Sequence, residues 1–380
     1  MTRRMHQVLF PISTMFYWFS LYTYVPVFTP HLKLLGSSLF MSGLIVGSYG
    51  ITQFLFRVPL GVWSDRIRKR KLFVVLSIVI ATISTLLMTF TSNLWVIFFL
   101  RSLAGVAASG WVVFSVLYAA YFPTDQLPRA MGLLKVYASM GQMAATALAG
   151  ILVQFSGWNM PYYVGALGGV VAIISAWLIK EEVPHPLSVA STIKISEVWR
   201  IGRYKSLLFS SLLGIVLQAI TFSTLYGFIP LYAERIGVTG AGLSMLMFGS
   251  ILSNVLAAYI SGVWFVRWMR ITRVIAVGFV VAALFTAMTV LTHDLGELVL
   301  CQVLSSFGQG LSAPMLMSLA LQSVDTSRRA TAMGFYQSMY SIGIVGGPLI
   351  VGILYAWIGL RGGFLVIAGL GLMAAGFAFV

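Results

Sequence analysis

Gly61-Val62-Trp63-Ser64-Asp65-Arg66-Ile67-Arg68-Lys69-Arg70-Lys71 is the stretch from which the fold can be read. Apolar sequence runs up to it from residue 38 and resumes beyond it at Leu72. Between the two runs stand one carboxylate, Asp65, and five cations: Arg66, Arg68, Lys69, Arg70 and Lys71. A short cationic turn joining two apolar runs of roughly 20 residues is the pattern of a water-facing loop between membrane-spanning helices. Working outward, similar runs occupy 8–30, 38–62, 72–91, 94–122, 130–154, 161–180, 205–232, 241–265, 274–292, 298–322, 330–355 and 361–380, which makes twelve. The connections are short except at 181–204, a polar stretch holding Glu181, Glu182, Pro184, Pro186, Lys194, Glu197, Arg200 and Arg203. This divides the chain into an N-terminal six-helix bundle (1–180), a linker (181–204) and a C-terminal six-helix bundle (205–380).

Composition agrees. Charged residues are 9% of the 380 and the mean hydropathy is +0.95, against about 25% charged in soluble domains. That is too little charge to cover a water-facing surface, which excludes a soluble enzyme, a disordered chain and a secreted disulfide scaffold. The single cysteine, Cys301, lies in an apolar run and reads as a packed thiol. The long continuous runs also differ from the short alternating segments of an outer-membrane barrel. The first run follows Arg3 and Arg4 but is too long for a cleaved signal peptide.

The formal charge of +15 would suggest nucleic acid in a soluble protein. Here its placement decides. With the N-terminus inside, eighteen of the 24 basic residues fall in cytoplasmic positions. Lys33, Arg235 and Arg361 fall outside, and Arg57, Arg101 and Lys135 fall within spans. This inside bias accounts for the charge without nucleic acid and predicts a plasma-membrane protein with both termini cytoplasmic.

The halves repeat each other. Gly61-Val62-Trp63 recurs as Gly262-Val263-Trp264, Met131-Gly132 as Met333-Gly334, Ser139 and Gly141 as Ser341 and Gly343, and Gly150-Ile151-Leu152 as Gly352-Ile353-Leu354. Asp125 and Arg129 precede one copy, Asp325 and Arg329 the other. Two six-helix halves in parallel repeat are a known transporter architecture, with the substrate site between them near the midplane. In this setting Gly61, Asp65, Arg66, Lys69 and Arg70 resemble the G-x-x-x-D-R-x-G-R-[RK] signature of the major facilitator superfamily, with Arg68 in place of the second glycine. The resemblance implies an all-α membrane fold of twelve helices in two pseudo-symmetric bundles. It also implies a conformational latch at Gly61, Asp65, Arg66 and Arg70, with Asp125 as a second anchor. A solvated basic loop is the plainer alternative. Val266 stands where the second half would need the aspartate, so a second latch is expected to be weak or missing.

None of the nine acidic residues lies mid-span, and the three embedded charges are all basic. Arg101 sits about seven residues into the fourth run, roughly 10 Å deep, in Arg101-Ser102-Leu103-Ala104-Gly105, which matches an R-x-x-x-G element of the superfamily. It reads either as a cation for an anionic group or as an arginine satisfied within its own half. Arg57 and Lys135 lie near the cytoplasmic ends and have the reach to snorkel. Helical spacing puts Ser13, Tyr17, Ser20 and Tyr24 on one face of the first run, and Tyr49, Gln53 and Arg57 on one face of the second. Lys135, Ser139, Gln142 and Thr146 share a face of the fifth run, and Gln302, Ser305, Ser306 and Gln309 one of the tenth. Gln218 marks the seventh and Asn254 the eighth. These faces line a cavity or act as helix–helix glue. The aromatics Tyr17, Trp18, Tyr22, Tyr24, Trp111 and Tyr226 are candidates for an apolar pocket, for packing or for the membrane interface.

In the fifth run, Gly141-x-x-x-Ala145-Thr146-x-x-Ala149-Gly150 follows the superfamily's antiporter pattern, but Ala-Thr replaces its central Gly-Pro. There is no G-x-x-x-x-G-K-[ST] phosphate loop and no metal-ligand spacing, so no cofactor and no enzyme activity are expected. The resemblance implies a monomeric secondary transporter that moves a small molecule, with multidrug or metabolite export foremost. A coupling proton or other ion is an open partner. Uptake or facilitated transport of an anion held by Arg101 is the alternative, and a non-transporting receptor or scaffold the more distant one.

Overall fold

The computed structural model describes residues 3–379 apart from 68, 120, 123–126, 180–201, 239, 266–267, 323 and 325–328. For 3–7, 61–62, 65–66, 119, 127–132, 263 and 329–331 the backbone alone is described. All regular structure among these residues is helical. The first span is Arg3–Tyr22 continued by Val25–Leu34, the second Leu39–Ile67, the third Arg70–Leu87 and the fourth Leu94–Ser109 continued by Trp111–Ala119. The fifth and sixth are Leu127–Ser156 and Met160–Leu178. The seventh is Lys205–Ser223, a π-helical turn Thr224–Phe228, and Ile229–Arg235. Ala241–Ile260, Ile271–Met288 and Leu295–Gln322 are the eighth to tenth. Arg329–Phe379 holds the last two, divided at Gly359, whose φ of +67° no right-handed helix passes through.

This makes twelve traverses among the described residues, with Arg3 and Phe379 on one side, here termed the terminal side. Nine of the helical segments are long and apolar enough by composition to cross a membrane. The tenth span falls outside that group and carries Gln302, Ser305, Ser306, Gln309, Ser312 and Pro314. Two of the breaks that hydropathy alone does not anticipate have a proline just beyond them. Pro26 and Pro230 each stand in the first turn of a new helical segment, where the missing amide hydrogen leaves no helical bond unmade. Large apolar residues such as Leu76, Ile83 and Leu87 remain exposed along the outer face of the third span, as a lipid-facing surface requires.

The repeat is visible atom by atom. Thr52 Oγ1 donates to the Ser102 carbonyl at 2.8 Å, tying the second span to the fourth. Ser253 Oγ donates to the Val303 carbonyl at 2.8 Å, tying the eighth to the tenth. A Cβ on Gly141 would collide with the Met15 carbonyl, and one on Gly343 with the Ile215 carbonyl. The fifth span thus lies on the first as the eleventh lies on the seventh. Elsewhere the same joint is built with its roles exchanged: Gly110 receives Ser77, whereas Gly278 receives Ser312. Close approach of this kind supplies the dispersion contacts that hold helices together in lipid, where the hydrophobic effect does not act between them.

Candidate substrate site between the two halves

Among the described residues the halves meet chiefly along three helix pairs. The second and eleventh spans run together over much of their length: the Pro348 carbonyl lies 2.7 Å from a Cβ position on Gly43, and Val345 O 3.2 Å from one on Gly47. On the side away from the termini, Thr29 Oγ1 of the first span donates to the Gly227 carbonyl of the seventh. There too the fifth span meets the eighth, with Gly150 N donating to Ser244 Oγ at 2.9 Å and Ala241 N to Gln154 Oε1 at 3.3 Å. Beside these contacts Val27, Trp158, Glu234 and Leu243 line a small cavity. The far side is therefore closed.

At mid-depth the contact is aromatic. Trp18 meets Trp111 edge-on at 5.5 Å and Tyr22 at 5.6 Å. Tyr22 meets Tyr226 of the other half at 5.4 Å, Tyr226 meets Phe222 at 5.2 Å, and Phe222 stacks on Tyr49 at 6.1 Å. Phe222 escaped sequence reasoning, although Gln218, Phe222 and Tyr226 follow each other at helical spacing on one face of the seventh span. Trp18, Trp111 and Tyr226 are partly exposed, as are Gln142 and Gln218. The Nε1 of Trp18 is buried without a hydrogen-bond partner.

Arg101 is 3% exposed and stands behind Tyr49. Its guanidinium carbon lies 4.3 Å from the Tyr49 ring centre, 5.4 Å from Phe28 and 5.5 Å from Tyr24. Nη1 donates to Tyr24 Oη at 2.6 Å, and Nε has no partner. Tyr24 stacks on Tyr162 at 5.0 Å, whose hydroxyl bonds His31 Nδ1 at 2.9 Å. Every group on Arg101 thus comes from its own half. Contacts with ring faces contribute about 0.5–2 kcal/mol each, which offsets only part of the penalty for burying an unpaired charge.

Arg57 does not snorkel. It is 5% exposed and turns across the interface, where Nη1 donates to the Gln337 carbonyl at 2.7 Å and to Ser341 Oγ at 3.4 Å. Nη2 donates to Gln53 Oε1, the Tyr340 ring centre lies 4.9 Å away, and Nε is unpartnered. The reason is local: Ser341, the repeat partner of Ser139, and the Gln337 carbonyl, which also accepts from Ser341 Oγ at 2.9 Å, face Arg57 at that level and offer acceptors to its guanidinium. Gln53 Nε2 returns to the Tyr49 carbonyl at 3.3 Å. Lys135 is exposed at the terminal end of the face carrying Ser139, Gln142 and Thr146.

Other polar candidates are hydrogen-bonded within their own half. Tyr17 is fully buried and donates to the Ala107 carbonyl at 2.6 Å, so its face turns into its own half, as does that of Ser13, which donates to Ala172 O at 3.0 Å. Asn254 Nδ2 donates to the Ser306 carbonyl at 3.1 Å. Gln309 accepts from Thr221 Oγ1 at 2.6 Å and donates to Ser305 Oγ at 3.3 Å. Gln302 Nε2 donates to Thr289 Oγ1 at 3.2 Å, leaving Oε1 unpartnered. The side chains of Asp65 and Arg66, the Cα substituent space of Gly61 and the whole of Asp125 lie outside the described residues; Arg70 opens the third span.

Twelve helical traverses in two repeated sets, closing around aromatic side chains drawn from both and buried cations drawn from the first, define a multi-pass membrane carrier. The chain belongs to the Major Facilitator Superfamily, whose profile matches residues 12–273 and again 211–380. It is 27% identical to an uncharacterised MFS-type transporter of Methanocaldococcus jannaschii over 87% of this chain and 86% of that one. It is 25% identical to the class C tetracycline resistance protein of Escherichia coli over 83% and 80%. A bacterial homologue of the human lysosomal transporter Spinster, crystallised inward-facing and unoccupied, superposes with a TM-score of 0.82 at 17% identity, covering 99% of this chain and 96% of that one.

Proposed function

We propose that the protein exports an amphipathic small molecule of the drug or metabolite kind by alternating access. The observation that carries this is the aromatic contact at mid-depth. Tyr22 and Tyr49 come from one half and Tyr226 and Phe222 from the other, so rocking the halves opens one side of the lining while the other stays shut. The efflux direction draws on the tetracycline resistance relative. The moving units are residues 1–180 and 205–380, joined by 181–204, in a monomer of the plasma membrane with both termini cytoplasmic. Gly61, Asp65, Arg66, Arg70 and Asp125 serve as the latch on the terminal side. The described spans hold no mid-depth carboxylate, so a coupling proton would be carried by a residue at a span edge.

The test is accumulation of fluorescent amphipathic compounds in membrane vesicles of both orientations under an imposed ion gradient. Export predicts uptake into inside-out vesicles. Uptake confined to right-side-out vesicles would reverse the direction, and no uptake in either would remove the carrier reading.

A further inference from the structure

The mid-depth region holds two buried guanidinium groups and, among the described residues, no carboxylate that faces them. Glu234, Asp294 and Glu297, the described acidic side chains, stand at the far-side ends of their spans. Arg57 and Arg101 are 5% and 3% exposed, and the Nε of each lacks a partner. Arg101 has five N–H donors and makes one hydrogen bond, to Tyr24. Its remaining contacts are the faces of Tyr24, Phe28 and Tyr49. Tyr49 then passes the contact on to Phe222, Tyr226, Tyr22 and Trp18. A positive, donor-rich pole therefore adjoins a run of ring faces with an orphaned indole N–H at its far end.

Resting on the carrier reading above, we propose that the substrate is an organic anion with a planar aromatic body. Its carboxylate or equivalent pairs with Arg101, and its ring lies among Tyr49, Phe222, Tyr226 and Trp18. Arg57 supplies the second cation, two helical turns along the second span from Tyr49. An anion that draws Arg57 Nη1 takes it from the Gln337 carbonyl, so binding and loosening of the second span from the eleventh become one event. A cationic cargo would meet two like charges in a medium that screens them poorly.

The test uses the purified full chain and three probes that share one ring: naphthalene-2-carboxylate, its carboxamide and naphthalen-2-ylmethylammonium. Tryptophan quenching and thermal shift give the affinities. The carboxylate is expected to bind at least tenfold tighter than either partner, and Arg101→Gln or Arg57→Gln to weaken it at least tenfold. Arg101→Lys, which keeps the charge without the planar fork, should retain the preference at lower affinity. The charge preference is read in the unaltered chain, so a misfolded variant does not spare the proposal. Equal or tighter binding of the ammonium would overturn it, as would carboxylate affinity unchanged in both glutamine variants. Counterflow in proteoliposomes separates the two readings. Carboxylate binding without flux would remove the carrier and keep the anion site; flux of the ammonium without carboxylate preference would remove the anion site and keep the carrier.

Discussion

Gly141 has its place in the fold because it has no side chain. The Met15 carbonyl occupies the space a Cβ would take, as the Ile215 carbonyl does at Gly343. Gly141→Val should therefore push the fifth span off the first and destabilise by about 1–3 kcal/mol, in the manner of an overpacked core. Gly334, also helical, has nothing within 4 Å of its Cβ position. Gly334→Ala should be neutral or stabilising by about 0.4–1 kcal/mol, since alanine restricts the unfolded chain. Thermal unfolding of the two variants in detergent checks both; an unchanged melting point for Gly141→Val would mean that the joint gives way easily. At this scale the sequence was informative about type and less so about partner. Arg101 was legible as an embedded cation. That Tyr24, Phe28 and Tyr49 would surround it was not, because those contacts depend on which way the first and second spans are rotated. Tyr17 shows the same limit. Its spacing with Tyr24 marked a polar face, but that face turns toward Ala107 and Ala172 rather than toward the opposite half.

The elements were legible where hydropathy changes sharply and obscure where it does not. Asn93 marks the start of the fourth span, and its Oδ1 accepts from the Trp95 and Val96 amides at 2.9 and 3.3 Å, the usual way a short polar side chain ends a ladder. The breaks at Pro26 and Pro230 interrupt no apolar run, so a hydropathy count passes over them. The eleventh and twelfth spans form one continuous helical stretch but for Gly359. The loop between the second and third spans carries its own prediction. If Asp65 latches the terminal side, Asp65→Ala should cut transport at least tenfold while membrane insertion stays normal, measured as flux per molecule of protein in vesicles. Full activity would leave that loop a solvated basic turn.

Across the whole molecule, the far side is shut where Gln154 meets Ala241 and Thr29 meets Gly227. Both Gln154 and Ala241 are exposed. With buried Cys301 replaced by serine, the pair Gln154→Cys and Ala241→Cys should join through a short bifunctional thiol reagent. Joining is expected to stop transport, and cleaving the link to restore it; continued flux through the linked protein would show that this side need not part. The repeat explains how such a closure was assembled: one six-helix plan, used twice, brings the fifth span to the eighth and the second to the eleventh. These closures share a chemical habit. Gly227 O, Gly150 N, Ala241 N and Gln337 O are all main-chain atoms, so at one end of each bond there is no side chain for mutation to remove. A lineage can exchange its ring lining for a different cargo, residue after residue, and inherit the doors unaltered.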